Sequence, residues 1–212
     1  MNRLAIARTV CRAGRRLAER GLIAGTDGNI AARCGADRVL VTPAGRDKGE
    51  LEPGDLVEVD LAGRVVRGPA GPSSELDMHL VIFAQRPDVA AVVHAHPPTA
   101  VALTLAGIDL SQAEMPEAVT ALGGGVPTAP YATPSTADLA EGVARTVVSH
   151  DACLMARHGA VAVGRDVFEA LDRMETVERV AQVILRARLL GANPTPLPKA
   201  EIDRLLQISG RR

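Results

Sequence analysis

At 212 residues the chain is long enough to bury a sizeable core, and no Pro/Gly/Ser-rich linker or shift in composition divides it, so a single domain over 1–212 is expected. Its 24 basic residues against 25 acidic leave a formal charge of -1 with no basic run long enough for a nucleic-acid footprint, which excludes that partner. No stretch is apolar over the length of a membrane span, and three cysteines without CxxC spacing, Cys11, Cys34 and Cys153, read as reduced thiols in a cytoplasmic protein.

Arg3 to Arg20 sets Leu4, Ala7, Val10, Cys11 and Leu17 on one helical face, and Glu19 with the direct run into Gly21 favours a first helix over a transit peptide. Short strands follow at Asn29–Arg33, Arg38–Val41, Leu56–Asp60 and Arg64–Arg67, the last two joined by Ala62-Gly63 as a hairpin, so this cluster reads as antiparallel. Glu75–Gln85 is helical, Val89–Val93 is a buried strand, and a helix runs from Pro98 to about Ala106. Gly123–Pro134 reads as an extended loop with one strand, Thr136–Ser149 as a helix, and Ala152–Ala156 as a second apolar strand. Asp166–Leu190 is the clearest helix, with Phe168, Leu171, Met174, Val177, Ala181 and Ile184 spaced by three and four, and Lys199–Ile208 forms a last short one. The pattern is an α/β fold of three layers, a mostly antiparallel central sheet flanked by helices on both sides.

The strand at Val89–Val93 runs into His94 and His96, which share one face because strand side chains alternate. Two imidazoles at the mouth of a buried strand are either solvated surface residues or metal ligands, and a third histidine, His158, follows the next apolar strand with Gly159 beside it. Three histidines at two strand ends match a catalytic zinc site with an open position better than a closed structural one. His79, inside a helical pattern, and His150, in a polar turn, default to structural or solvated roles.

Three loops carry the small residues of an oxyanion site: Thr26-Asp27-Gly28-Asn29, Thr42-Pro43-Ala44-Gly45 and Ser73-Ser74-Glu75. Each alone is equally an ordinary turn or cap, with Ser73 or Ser74 as the N-cap of the next helix. None matches a P-loop or a GxGxxG turn, so a nucleotide is not indicated. Near three histidines, Glu75 has a second use as a fourth metal ligand or a carboxylate base.

Through GLIAGTDGNIAAR, VLVTPAGRDKGEL, GPSSELDMHLVIFAQRPDVAAVVHAHPP, APYATPSTADLAEGVA and ARHGAVAVG, in that order, the chain resembles the class II aldolase/adducin family, on its bacterial L-fuculose-phosphate aldolase branch. The resemblance implies one zinc per chain on His94, His96 and His158, with Glu75 a ligand in the empty site and an acid/base once substrate displaces it. It implies a substrate phosphate at Asn29, Gly45, Ser73 and Ser74, with Thr26, Gly28 and Thr42 completing the loops. It also implies cleavage of a ketose 1-phosphate to dihydroxyacetone phosphate and a small aldehyde through an enediolate, in a homotetramer with interfacial active sites.

The sequence departs from that branch in lacking its two active-site tyrosines. The single tyrosine, Tyr131, reads as a packing residue, so Glu117, Glu114 or a water is expected to handle the proton on the aldehyde-derived oxygen. Relatives that share the metal and phosphate sites supply the alternatives: a 4-epimerase, a methylthioribulose-phosphate dehydratase and a sugar-acid-phosphate decarboxylase. An adducin-head-like interaction module without catalysis is the alternative of another class.

Overall fold

The computed structural model describes residues 2–211. Its helices are α1 (Arg3–Glu19), α2 (Leu76–Gln85), α3 (Pro98–Leu105), α4 (Pro116–Leu122), α5 (Ala137–Val147), α6 (Val167–Leu189) and α7 (Lys199–Ile208). Its strands are β1 (Asn29–Arg33), β2 (Arg38–Val41), β3 (Val57–Asp60), β4 (Val65–Arg67), β5 (Ala91–Ala95), β6 (Thr128–Ala129), β7 (Ala152–Met155) and β8 (Gly159–Gly164). They form one sheet in the order β4-β3-β2-β1-β5-β8-β7-β6, antiparallel at every pairing except β6 with β7.

Strand alternation divides the core into the two expected layers. On β5, Ala91, Val93 and Ala95 pack with α1, α3, α4 and α6 through Ala7, Val10, Leu103, Val119 and Leu171. Val92, between them, faces α2 and α5 through Ile82, Phe83, Leu139 and Val143. The central strands β5, β7 and β8 are buried along their whole length, as a sheet covered on both faces requires. Asn2 caps α1 by accepting the Ala5 N–H at 2.9 Å, and Gly21, at φ +67°, turns the chain out of the helix. Among the described residues no helix is long and apolar enough to cross a membrane.

The structure adds one helix and corrects three expectations. Pro116–Leu122, to which the sequence reading assigns no element, is a helix that begins on its proline and ends at left-handed Gly123. Gly159–Gly164 is a strand, so His158 sits in a hairpin turn and not simply after a strand end. The strand read at Val89–Val93 is shifted to Ala91–Ala95 and takes in His94. Tyr131 is 60% exposed and does not pack in the core.

Candidate metal centre

His94 stands on β5 directly opposite Asn29 on β1. It shares the face of Val92, and Asn29 shares that of Ala31, both within the α2/α5 layer, so the two side chains meet under α2. His96 lies just past β5, with its backbone N–H held by the Leu22 carbonyl at 2.9 Å. His158 is brought in by the β7–β8 turn, where Arg157 is left-handed at φ 62°. The three rings are mutually 4.9, 4.9 and 5.0 Å apart at their centroids, and one nitrogen from each lies within 4.8 Å of the others.

The protonation pattern suits a cation. His94 Nδ1 lies 2.9 Å from the Ala160 carbonyl, which can only accept, so the proton sits on Nδ1 and the Nε2 lone pair faces inward. Burial pushes the His94 imidazole down to about 3, and His158 is lowered by burial as well, so both are neutral at pH 7. The Asp27 carboxylate lies 3.5 Å from His96 Nδ1, on the side away from His94 Nε2, where carboxylates commonly orient metal-binding imidazoles. Gly159 makes room: a Cβ there would lie 2.4 Å from the Ala95 carbonyl oxygen and 2.9 Å from both the His94 and the His96 rings.

Glu75 completes the cluster. It is the N-cap residue of α2, yet its side chain caps nothing and turns to Asn29 instead, while its own N–H donates to the Ser73 hydroxyl at 3.2 Å. Its Oε2 accepts from the Asn29 amide at 2.9 Å and lies 3.2 Å from His94 Nε2, while Oε1, 3.7 Å from His158 Nε2, is buried without a hydrogen-bond partner. Burial pushes the carboxyl up, but His94, the Asn29 amide and the other imidazoles outweigh it, so Glu75 ionises below its ordinary value. An unpartnered carboxylate oxygen beside three convergent lone pairs is the donor set of a divalent transition metal, and the residues fit one.

The three small-residue loops come together beside this cluster. Thr42 bonds Ile30 through its N–H and, by its hydroxyl oxygen, through the Ile30 N–H, while Ser73 N–H donates to the Thr42 carbonyl. Thr26, Gly45 and Ser74 are exposed at the lip, whereas Gly28, Asn29, Thr42 and Ser73 are buried. Thr42 accepts the Ile30 N–H at its hydroxyl oxygen and keeps its own O–H to donate, and Gly28 is required because a Cβ would lie 2.7 Å from the His94 carbonyl oxygen. Glu117 is exposed on the first turn of α4 and pairs with none of the site residues. Glu114 is partly buried, and burial raises its carboxyl.

Three residues of this region escaped sequence reasoning. Asp27 lies in the Thr26–Asn29 loop, whose small-residue pattern gave it no role. Lys48, buried, donates to the Thr26 carbonyl at 2.6 Å and the Arg46 carbonyl at 2.8 Å, tying two of the loops together. His79, read as structural or solvated, is fully buried against Asn29, and the only signal for it was its place one helical turn after Glu75.

The Class II Aldolase and Adducin N-terminal domain family model matches residues 8–185. A 5-methylthioribulose-1-phosphate/5-deoxyribulose-1-phosphate aldolase of Rhodospirillum rubrum is 36% identical over 208 residues, 97% of this chain and 91% of that protein. A 3-oxo-tetronate 4-phosphate decarboxylase of Pectobacterium atrosepticum is 36% identical over 169 residues, 78% of this chain and 77% of that protein. Among solved structures, an L-fuculose 1-phosphate aldolase superposes with a TM-score of 0.89 at 31% identity, covering 96% of this chain and 95% of that one. With the fold, the three-histidine cluster and these matches in agreement, the chain belongs to the class II aldolase and adducin N-terminal domain family, as one of its lyases.

Proposed function

We propose that the protein is a zinc-dependent aldolase that cleaves a short ketose 1-phosphate into dihydroxyacetone phosphate and a small aldehyde. The observation that carries this reading is the Glu75 carboxylate, ionised, buried, fixed at Oε2 by Asn29 and free at Oε1 beside the histidines. His94, His96 and His158 would hold one zinc per chain, with Glu75 as a further ligand before substrate binds. When bound, the metal supplies polarisation of the substrate carbonyl and shelter for the negative charge that develops when the neighbouring bond breaks.

The chain's own residues do the rest. Exposed Thr26, Gly45 and Ser74, with Ser73 and Asn29 behind them, offer neutral donors to a phosphate, and the start of α2 adds its positive dipole end. Lys48 beneath the loops adds the charge they lack. In the synthesis direction Glu75 Oε1 takes the proton from the carbon of dihydroxyacetone phosphate next to the carbonyl; in cleavage it returns that proton. The donor to the aldehyde-derived oxygen is Glu117 of another copy of the chain, or a water, which fits a cytoplasmic homotetramer with sites near subunit contacts. The match to the Rhodospirillum rubrum protein favours a 5-deoxypentulose 1-phosphate over L-fuculose 1-phosphate as the substrate.

A panel of pentulose and hexulose 1-phosphates, followed by mass for dihydroxyacetone phosphate, tests the reading; no release from any member overturns it. One observation favours a second activity, decarboxylation of a 3-oxo sugar-acid phosphate, which needs no donor for an aldehyde oxygen: the 36% identity to the Pectobacterium atrosepticum decarboxylase. Carbon dioxide release from such an acid, without aldol cleavage, would establish it instead.

A further inference from the structure

His79 lies on the buried side of α2, wholly shielded from solvent, with Nε2 2.5 Å from Asn29 Oδ1 and Nδ1 without any partner. Asn29 in turn donates from Nδ2 to Glu75 Oε2 at 2.9 Å. The chemistry of the three groups fixes which way each one points. A carboxylate only accepts, so the half of the Asn29 amide facing Glu75 must be its N–H. The other half, Oδ1, then faces His79, and Nε2 must carry the imidazole proton to donate to it. Turned the other way, the amide would set its oxygen against the Glu75 carboxylate.

We propose that His79 is a positioning residue for Glu75: through its Nε2–H it locks the Asn29 amide with the N–H toward Oε2, and so keeps Oε1 free as the base. This rests on the reading of Glu75 as the base. Two further observations carry it beyond core filling. An apolar residue would fill the volume under α2 without leaving Nδ1 unsatisfied, so the imidazole is kept there for its donor. Burial holds His79 down to about 4, so at working pH it has one N–H, and the Asn29 bond decides where that proton sits. Asn29 cannot find a substitute donor in water, because it is itself buried between β5 and α2.

The test uses the metal-loaded protein with His79→Leu and His79→Gln, and the metal-free wild type labelled with ¹⁵N-histidine. Outer partners of metal-site residues typically affect activity by about 10- to 100-fold, so His79→Leu should lower kcat for deuterium exchange into dihydroxyacetone phosphate by at least tenfold. Metal content and KM should stay near wild type. Gln places an amide N–H near the Nε2 position and should recover most of kcat, which mere core filling would not explain. A wild-type rate in metal-replete His79→Leu overturns the proposal, as does a Gln variant no better than Leu. The NMR arm is independent of activity and of the variants' folding: His79 should be the Nε2–H tautomer, and an Nδ1–H tautomer overturns the assignment. If the wild type holds zinc but exchanges no proton, the aldolase reading fails while the tautomer still judges the positioning.

Discussion

Replacing Glu75 with Gln removes one negative charge and almost no volume, so it separates chemistry from architecture. The new side-chain oxygen can keep the 2.9 Å bond from Asn29, which directs the new NH₂ to the position of Oε1, 3.7 Å from His158 Nε2 and now without a partner. No buried bond is lost, and stability should change by less than about 1 kcal/mol. Three imidazoles remain to hold the metal, so stoichiometric zinc should persist with lower affinity. An amide cannot take a proton at neutral pH, and a positioned general base is worth about 10² to 10⁴ in rate, or roughly 3 to 5 kcal/mol of barrier. The loss should fall on kcat with KM little changed, since the phosphate loops are untouched. Exchange of the carbon-bound proton of dihydroxyacetone phosphate with D₂O isolates this step, because it needs no aldehyde. Wild-type protein should exchange one stereospecific proton and Glu75→Gln at least about a hundredfold more slowly. A metal-replete Glu75→Gln protein that exchanges at the wild-type rate would refute the assignment of the base.

The double variant His94→Ala, His96→Ala should carry no stoichiometric metal by elemental analysis; full retention would move the metal elsewhere. Gly159→Ala should cost about 1 to 3 kcal/mol by denaturant melts and weaken metal binding, since its Cβ would press on the Ala95 carbonyl and two ligand rings; an unchanged midpoint with full metal would refute the packing argument. The metal-free protein should lose stability as pH falls below 6.5. His79 binds its proton at about 4 when folded and near 6.5 when unfolded, so its contribution is complete above 6.5 and shrinks toward about 4. At pH 5 the His79 share of the loss is roughly 2 kcal/mol, and the pH series of His79→Gln should be shallower by that share while the fall due to buried His94 remains.

The elements legible in the sequence were those whose evidence is local. The three-and-four spacing of Leu171, Met174, Val177, Ala181 and Ile184 is enough to write α6, which ends one residue before the expected Leu190. The pair His94 and His96 needed only the alternation of a strand. β8 was missed because GAVAVG is bounded by glycines and apolar throughout, which gives no period to read, and α4 because seven residues are too few for one. Tyr131, read as a packing residue from its place in the PYATPST motif, lies on the surface of the chain.

The site was legible as a list of ligands and illegible as an arrangement, and the reason is register. Asn29 meets His94 only because β1 pairs with β5 in one particular antiparallel alignment across a sequence gap that no short pattern spans. A slip of one residue would turn Asn29 to the α1/α6 face and leave Ile30 against α2, since neighbouring strand positions point to opposite sides. That alignment is enforced by the apolar alternation of Ile30, Ala31 and Ala32 against Val93, Val92 and Ala91, so the packing that divides the core into two layers also delivers Asn29 to Glu75. His79 comes from the same helix as Glu75, one turn further on. One helix thus fixes both halves of an amide that β1 supplies from 46 residues away. The Glu75 carboxylate is therefore oriented by the sheet register and the α2 packing that build the core.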